Sequence, residues 1–373
     1  MEQHLHIISF DVPYPVDHGG YFDLFYKLVA LHQQGIRIHL HCFEHKRPQQ
    51  PELEQYCVEV NYYPRQCGHK GFSHKIPYMV ASRTNATLEN RLLKDSYPIL
   101  FEGLQCSYLL HDERFNNRKM VLRLFNVEYK YYKQLFYSSH SLFHKMYYLN
   151  ESRLLKRYEE AIANKSLILT LSDQDTNTYR KEFGAKQVAT LPVFLPYSQI
   201  EAPEGVGCFC LYHGNLSVPE NEEAAIWLIK EVFNDLRIPL VVAGKNPSPR
   251  LQRIANKYGN ACVVADPSEQ EMQDMIGKAQ INIIPSFNVT GIKLKLLNAL
   301  FNGRHCLVNE ATVQSTGLES ACHIGTNATA FKSQIVQLYR QPFAEEEIRL
   351  RKQLLLSTFD NKRNAQRLIQ WIF

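Results

Sequence analysis

The stretch Ile281–Asn309, "INIIPSFNVTGIKLKLLNALFNGRHCLVN", begins and ends as a buried strand. Between "INIIPS" and "HCLVN", Leu294, Leu297 and Phe301 recur at helical spacing, with Gly303 as the stop. Strand, helix and strand in that order make the unit of a parallel α/β sheet. The first helical turn, however, carries Lys293 and Lys295 shortly after Gly291. The helix macrodipole puts positive partial charge at that end, so cations are misplaced there.

A bound anion would resolve the misplacement. In open parallel sheets ligands lie over the carboxyl ends of strands, and a helix start offers free N–H groups and a positive field to phosphate. Gly291 removes a side chain where main chain must approach such an anion. Residues two apart on a helix point about 200° away from each other. Both lysines therefore face one ligand only if Lys293 precedes the regular helix. The plainer alternative is two solvated surface lysines.

The same alternation runs outward in both directions. "LHIISF", "IRIHLHCF", "VEVNYY", "PILFEGL", "KMVLRLFNV" and "SLILTLS" read as strands, with helices predicted over 22–34 and, as one long region, over 129–164. After "VATLPVF", the Pro- and Gly-rich "LPYSQIEAPEGVG" reads as a linker. Then "CFCLYHG", "IPLVVAG" and "ACVVADP" each precede a helical stretch, and "DNKRNAQRLIQWIF" closes the chain as an amphipathic helix. The expectation is two doubly wound, Rossmann-like parallel-sheet domains: 1–195 joined by the C-terminal helix 357–373, and 196–356.

Bulk composition removes several classes. The 373 residues are 45% hydrophobic and 21% charged, an ordinary globular balance, and the formal net charge of +5 is too mild for nucleic acid as the main partner. No basic segment followed by a long apolar run opens the chain, and no stretch approaches the roughly 18 apolar residues of a membrane span. A cytoplasmic location is expected. The nine cysteines are odd in number, with no CxxC pair, which points to reduced thiols rather than a disulfide frame or zinc site. Cys208 and Cys210, two apart in a strand pattern, should share a face. Sequons at Asn85, Asn150, Asn215, Asn288 and Asn327 carry little meaning without secretion.

Other strand ends supply further candidates. Gly19 and Gly20 lead directly from the first strand's loop, past Asp17 and His18, into a helix. His213, Gly214 and Asn215 end the second domain's first strand, where a simple turn is the alternative, and Gly244 ends its next strand. Arg123, Asn126 and Glu128 follow an otherwise apolar strand, where an Arg–Glu bridge is the alternative.

With those residues in hand, the chain resembles the GT-B glycosyltransferases, in particular glycosyltransferase family four, the "group 1" type. "PYPVDHGGYFDLFYKLVALHQQGIRIHLHCF" looks like that family's opening, and "LRLFNVEYKYYKQL" is similar to its "R-x-H-N-x-E" segment. "YHGNLSVPENEEAAIWLIKEVF" resembles its "G-x-L-x-x-x-P-N" start, and "TGIKLKLLNALFNGRHCLVN" its donor-site signature, "G-T-R-L-K-x-x-E-A-x-x-x-G". Lys293 and Lys295 fall on the basic positions and Gly291 on the glycine. Thr290 and Asn298 stand where the family often has glutamates, Phe125 where it has histidine, and Thr316 where it often has Glu. "TFDNKRNAQRLIQWIF" looks like the terminal helix that crosses back onto the first domain.

The resemblance implies a GT-B fold whose two domains face each other across a cleft. It also implies transfer of a sugar from a nucleotide-sugar donor to an acceptor hydroxyl, in glycan or polysaccharide synthesis, with retention and without a metal or other cofactor. Gly214, Asn215, Gly244, Thr290, Gly291, Lys293, Lys295 and Asn298 would hold the donor, with Gly19 and Gly20 beside it. Asp17, His18, Arg123, Asn126 and Glu128 would hold the sugar or acceptor. The replaced glutamates keep two alternatives open, a non-catalytic nucleotide-sugar binder or accessory subunit and a nucleotide-sugar epimerase. Residues 129–157 mix aromatics with Lys and Arg, with Glu151 the only acid, so peripheral contact with an anionic inner-membrane face and a lipid-linked acceptor is one expectation. Packing of those aromatics inside the first domain is the other.

Overall fold

The computed structural model describes residues 2–16, 19–139, 141–287, 291–314 and 316–373, with His69 and Lys70 described by main chain alone. The chain divides into two compact units, Met1–Pro196 with Phe359–Phe373, and Tyr197–Thr358.

In the first unit seven described strands run parallel: β1 (His4–Ser9), β2 (Arg37–Glu44), β3 (Glu59–Pro64), β4 (Ile99–Glu102), β5 (Met120–Arg123), β6 (Leu167–Thr170) and β7 (Val188–Thr190). Their order is β3-β2-β1-β4-β5-β6-β7, so the winding reverses between β1 and β4. Strand alternation sends Ile7 and Ile8 to opposite faces. Ile7, Leu40 and Leu100 pack with Leu24 and Leu28 of the helix Gly19–Gln33 and with Ala365 and Leu368 of the helix Asn361–Ile372. Ile8, Phe101 and Leu122 pack against Leu155 and Ile162 of the helix Leu142–Ile162.

The second unit repeats the plan with β8 (Cys210–Asn215), β9 (Leu240–Lys245), β10 (Ala261–Ala265), β11 (Ile281–Ile284), β12 (His305–Val308) and β13 (His323–Ile324). The order is β10-β9-β8-β11-β12-β13, all parallel, with the reversal between β8 and β11. Ligands in such sheets bind beside that reversal, at the carboxyl ends of the strands.

Several local expectations change. The helical region over 129–164 is two helices, Glu128–Ser138 and Leu142–Ile162, the second capped by the Ser141 hydroxyl accepting from His144 N. Cys208 and Cys210 do not share an environment, because β8 starts at Cys210; Cys208 is exposed and Cys210 buried. All nine cysteines are free. The short strand β13 has no apolar run to announce it.

Arg123 is not placed to meet a substrate. Its side chain is fully buried and all five of its N–H groups are engaged within the first unit. Nε and Nη2 clamp both oxygens of Asp23 at 3.1 and 3.0 Å, while Nη1 and Nη2 donate to the carbonyls of Thr170, Leu191 and Pro192. Lys27, one turn after Asp23, bonds Asp23 and both oxygens of Glu102 at 2.8 Å. Burial works against the Asp23 charge, but Arg123 and then Lys27 outweigh it and hold its carboxyl well below the usual range. Two acids and two bases thus tie β4, β5, the helix Gly19–Gln33 and the chain after β7 into one network. A one-turn Asp–Lys spacing was the only trace of it in the sequence.

Candidate functional site

At the reversal point of the second sheet, β8 runs out through His213, Gly214 and Asn215, and β11 is followed by the helix Leu294–Asn302. Gly291 has φ +69°, a conformation that side-chain-bearing residues rarely adopt. Lys293 occupies the cap position in extended conformation, φ −87° and ψ 97°, before the regular helix starts. The geometric condition for both lysines to serve one site is therefore met, and Lys293 is close enough for its charge to act on Lys295.

Lys295 Nζ donates to Asn221 Oδ1 at 3.2 Å and lies 4.9 Å from the centroid of the Tyr212 ring, a cation–π distance. Asn221 is itself fixed, its Nδ2 donating to the Asn215 carbonyl at 2.9 Å and its own carbonyl accepting from Tyr212 Oη at 2.9 Å. Burial and then the charge of Lys293 lower Lys295 to about 8, against an opposing pull from Glu220. Burial also lowers Lys293. No ion pair to Lys295 occurs among the described residues. Next to it, His213 is buried and held neutral, lowered to about 3 by burial and by Lys295, and its Nε2 has no hydrogen-bond partner among the described residues. Two desolvated cations, an imidazole nitrogen with no hydrogen bond among the described residues and the start of a helix converge there. The arrangement can bind a multiply charged anion.

The remaining donor-side candidates divide. Gly244 faces Gly214 across the β8–β9 ladder, and a Cβ on it would lie 1.8 Å from the Gly214 carbonyl oxygen, so it serves close strand approach. The Asn215 side chain accepts from Ser217 N and Oγ at 3.1 and 2.7 Å, which is a turn of its own loop; only its carbonyl reaches the site, through Asn221. Asn298 Oδ1 accepts from Asn302 at 2.8 Å one turn on. Thr290, Asp17 and His18 lie outside the described residues.

In the first unit, Gly19 opens its helix, and the space left by Gly20 is taken by Phe10, whose ring carbon would lie 3.0 Å from an added Cβ. Phe10 meets Phe125 edge-on, ring centroids 5.7 Å apart. Glu128 begins the helix Glu128–Ser138 beside Asn126, close enough for that side chain to favour its charged form, so the pair is brought together. Burial, then the neighbouring Glu159, pushes Glu128 up to about 8. Burial lifts Glu159 to about 7, but it accepts from Tyr179 Oη and from the N–H groups of Glu128 and Tyr129. Those bonds favour its charged form, so Glu128 carries the proton at neutral pH. Arg123 lies with Asp23 and not with this pair. Asn221 and Tyr212 were missed by sequence reading, since an Asn in an acidic helical turn and a Tyr in a strand have ordinary structural explanations.

Two sheets of this winding in one chain are the GT-B architecture, and comparison with known proteins agrees. Solved structures over its whole length include WaaG, a glycosyltransferase involved in lipopolysaccharide biosynthesis (TM-score 0.64, 12% identity, 99% of each chain). Another is Anabaena HepE in complex with UDP and glucose (TM-score 0.64, 12% identity, 99% of each chain). No family model matches the chain. A sequence relative is an uncharacterised 44.6 kDa protein in the cps region of Klebsiella pneumoniae, 28% identical over 329 residues, 83% of this chain and 84% of that one. The fold is that of GT-B glycosyltransferases.

Proposed function

We propose that the protein is a glycosyltransferase that moves a sugar from a nucleotide-diphosphate sugar to an acceptor hydroxyl during glycan or polysaccharide synthesis. The observation that carries this reading is the pair Lys293 and Lys295, desolvated at a helix start beside His213. Support comes from the similar fold of a protein solved with UDP and glucose, and from a relative in a cps region.

In this reading the lysines and the first N–H groups of the helix Leu294–Asn302 stabilise the diphosphate as it departs. The departing phosphate takes the acceptor's proton on the same sugar face, which retains the anomeric configuration. Asn126 and the protonated Glu128 are assigned to the sugar or acceptor, with Asp17 and His18 as further candidates, while Asn298 offers the donor ribose a neutral partner.

The rival reading is a non-catalytic nucleotide-sugar binder, favoured by Asn298 and by Phe125, whose ring packs on Phe10 where the resemblance expects histidine. A thermal-shift panel with UDP-, GDP-, TDP- and CDP-sugars on wild type and Lys293→Ala tests the site: one donor should stabilise the wild type alone, and no shift in either protein would reject it. Product formation from that donor then separates transferase from binder. Interconversion of the donor sugar without acceptor would instead identify an epimerase.

For the acceptor side, we propose that residues 129–157 touch an anionic bilayer. No helix among the described residues is long and apolar enough to cross a membrane. Yet Tyr137, Leu142, Phe143 and Met146 are 69–80% exposed around the junction of the two helices, close in sequence to Lys133 and Lys145. Glu151, the segment's acid, is buried and accepts from Tyr78 N. Unchanged binding to phosphatidylglycerol vesicles after Lys133→Ala, Phe143→Ser and Lys145→Ala together would reject the contact.

A further inference from the structure

At the amino end of β12, on the opposite side of the second sheet from the lysines, two imidazoles and a carboxylate converge. His305 opens β12, His323 opens β13, and Glu347 comes from the helix Glu345–Arg351. One ligand atom from each lies within 4.8 Å of the other two. Ligand bonds of about 2 Å place the donor atoms of one ion roughly 3–4 Å apart, so small side-chain adjustments close the set.

The hydrogen bonds around the cluster fix two of its three members, His305 and Glu347. His305 is fully buried, and its Nε2 approaches the Gln341 carbonyl at 3.0 Å. A carbonyl only accepts, so Nε2 carries a proton, and in the neutral imidazole Nδ1 presents a lone pair. That lone pair lies 3.2 Å from Glu347 Oε1 without making a hydrogen bond. Two electron-rich atoms at that distance need a cation between them, which a metal ion or a proton supplies. Glu347 Oε2 accepts from Ala344 N at 3.0 Å, which fixes the carboxylate. The His323 ring stands 5.3 Å from that of His305, and its nitrogens have no hydrogen bond among the described residues. The nearby Arg351 guanidinium is turned onto the carbonyls of Leu300 and Gly303 and over the Phe343 ring.

We propose that His305, His323 and Glu347 bind a divalent first-row transition-metal ion of the zinc type. Two imidazoles with one carboxylate suit that class, whereas magnesium and calcium favour all-oxygen shells. The N–H of His305 on a main-chain carbonyl is the outer contact that orients metal-bound histidines. A small cavity lined by Ser320, Cys322, His323, Phe343, Glu347 and Arg351 leaves room for water as a further ligand. The ion would pin the helix Glu345–Arg351 to the edge of the sheet, a structural role independent of sugar transfer.

The test is calorimetric titration of the chelator-stripped full-length chain with zinc chloride, followed by thermal unfolding with and without the ion. One equivalent should bind in the micromolar range or tighter and raise Tm. Glu347→Gln keeps the acceptor for Ala344 N, so the fold survives, and His323→Ala removes a partly exposed side chain. Each should weaken binding roughly tenfold or more, at least the cost of losing an outer contact to a metal ligand, with nucleotide-diphosphate binding unchanged. Absence of saturable zinc binding by the wild type, or affinities in both variants equal to wild type, would overturn the site. A proton shared between His305 and Glu347 would then account for their approach.

Discussion

Lys295 Nζ is held 3.2 Å from Asn221 Oδ1, and Asn221 in turn holds the end of the neighbouring strand through the Asn215 carbonyl. A desolvated ammonium is thus steered by a neutral amide and not neutralised by a carboxylate. Its charge stays available to an incoming anion. Asn221→Ala should loosen that steering, with a loss of about 1 kcal/mol of stability and a several-fold weaker Kd for the donor. Lys295→Ala should abolish measurable binding. Titration calorimetry with the stabilising nucleotide reads both, and Asn221→Ala binding like wild type would remove Asn221 from the site.

The lowered pKa of Lys295 gives donor binding a pH signature. In the free protein its ammonium is present below about pH 8 and is lost above. A bound diphosphate favours the charged form, so binding above that pH takes up a proton. Affinity should be steady as far as Lys295 is concerned below pH 8 and then weaken by up to about tenfold per pH unit. Lys295→Arg keeps its charge throughout the range and should flatten the profile. A flat wild-type profile between pH 7.5 and 9.5 would contradict the assignment.

Arg123 and Asp23 form a bidentate pair with no access to solvent. Removing one member leaves the other charge buried, which costs about 3–5 kcal/mol. Arg123→Leu should therefore lower the urea midpoint sharply or prevent folding. Arg123→Lys, which keeps the charge and loses the fork, should destabilise less while leaving the donor Kd of the folded fraction unchanged. A large effect of Arg123→Lys on donor affinity at unaltered stability would return this residue to the binding machinery.

Glu128 predicts a pH dependence of stability. Its folded pKa, about 8, exceeds the ordinary value of 4.5, so the folded state holds the proton more tightly than the unfolded chain does. That contribution is complete below about pH 4.5 and is lost as pH rises toward 8, at about 1.4 kcal/mol per pH unit in the limit. Glu128→Gln mimics the protonated form at every pH. The Tm advantage of the variant over wild type should grow between pH 5 and 8; a constant difference across that window would mean Glu128 is already ionised.

Gly244→Ala places a methyl group where the Gly214 carbonyl oxygen now sits, 1.8 Å from the ideal Cβ position. Prising β8 from β9 should cost about 1–3 kcal/mol or more. Because both strands end at the lysine site, the variant should also bind donor more weakly. Chemical denaturation that shows full stability would mean the strand ends part without penalty.

Much of the fold was legible because hydrophobic patterning is local. "INIIPS" and "HCLVN" are apolar on both faces, as strands covered by helices must be, and they reappear as β11 and β12. The strand β13 was not legible: two residues leave no periodicity to detect. Nor was the division into a helix ending at Ser138 and another starting at Leu142, since aromatic and basic residues occur on both sides of it.

For the site, the odd charge of the helix start was visible from Lys293 and Lys295 alone, because the dipole argument needs only sequence position. The sequence by itself determined two α/β units, their strand order of appearance and a candidate anion site after the eleventh strand. Tertiary structure decided the rest. It placed Lys293 outside the helix, closed Arg123 on Asp23 across 100 residues of chain, and set His305, His323 and Glu347 within reach of one ion. The reason is range: dipoles and hydrophobic period act between neighbours in sequence, whereas pairing of buried charges depends on which distant strands become neighbours in space.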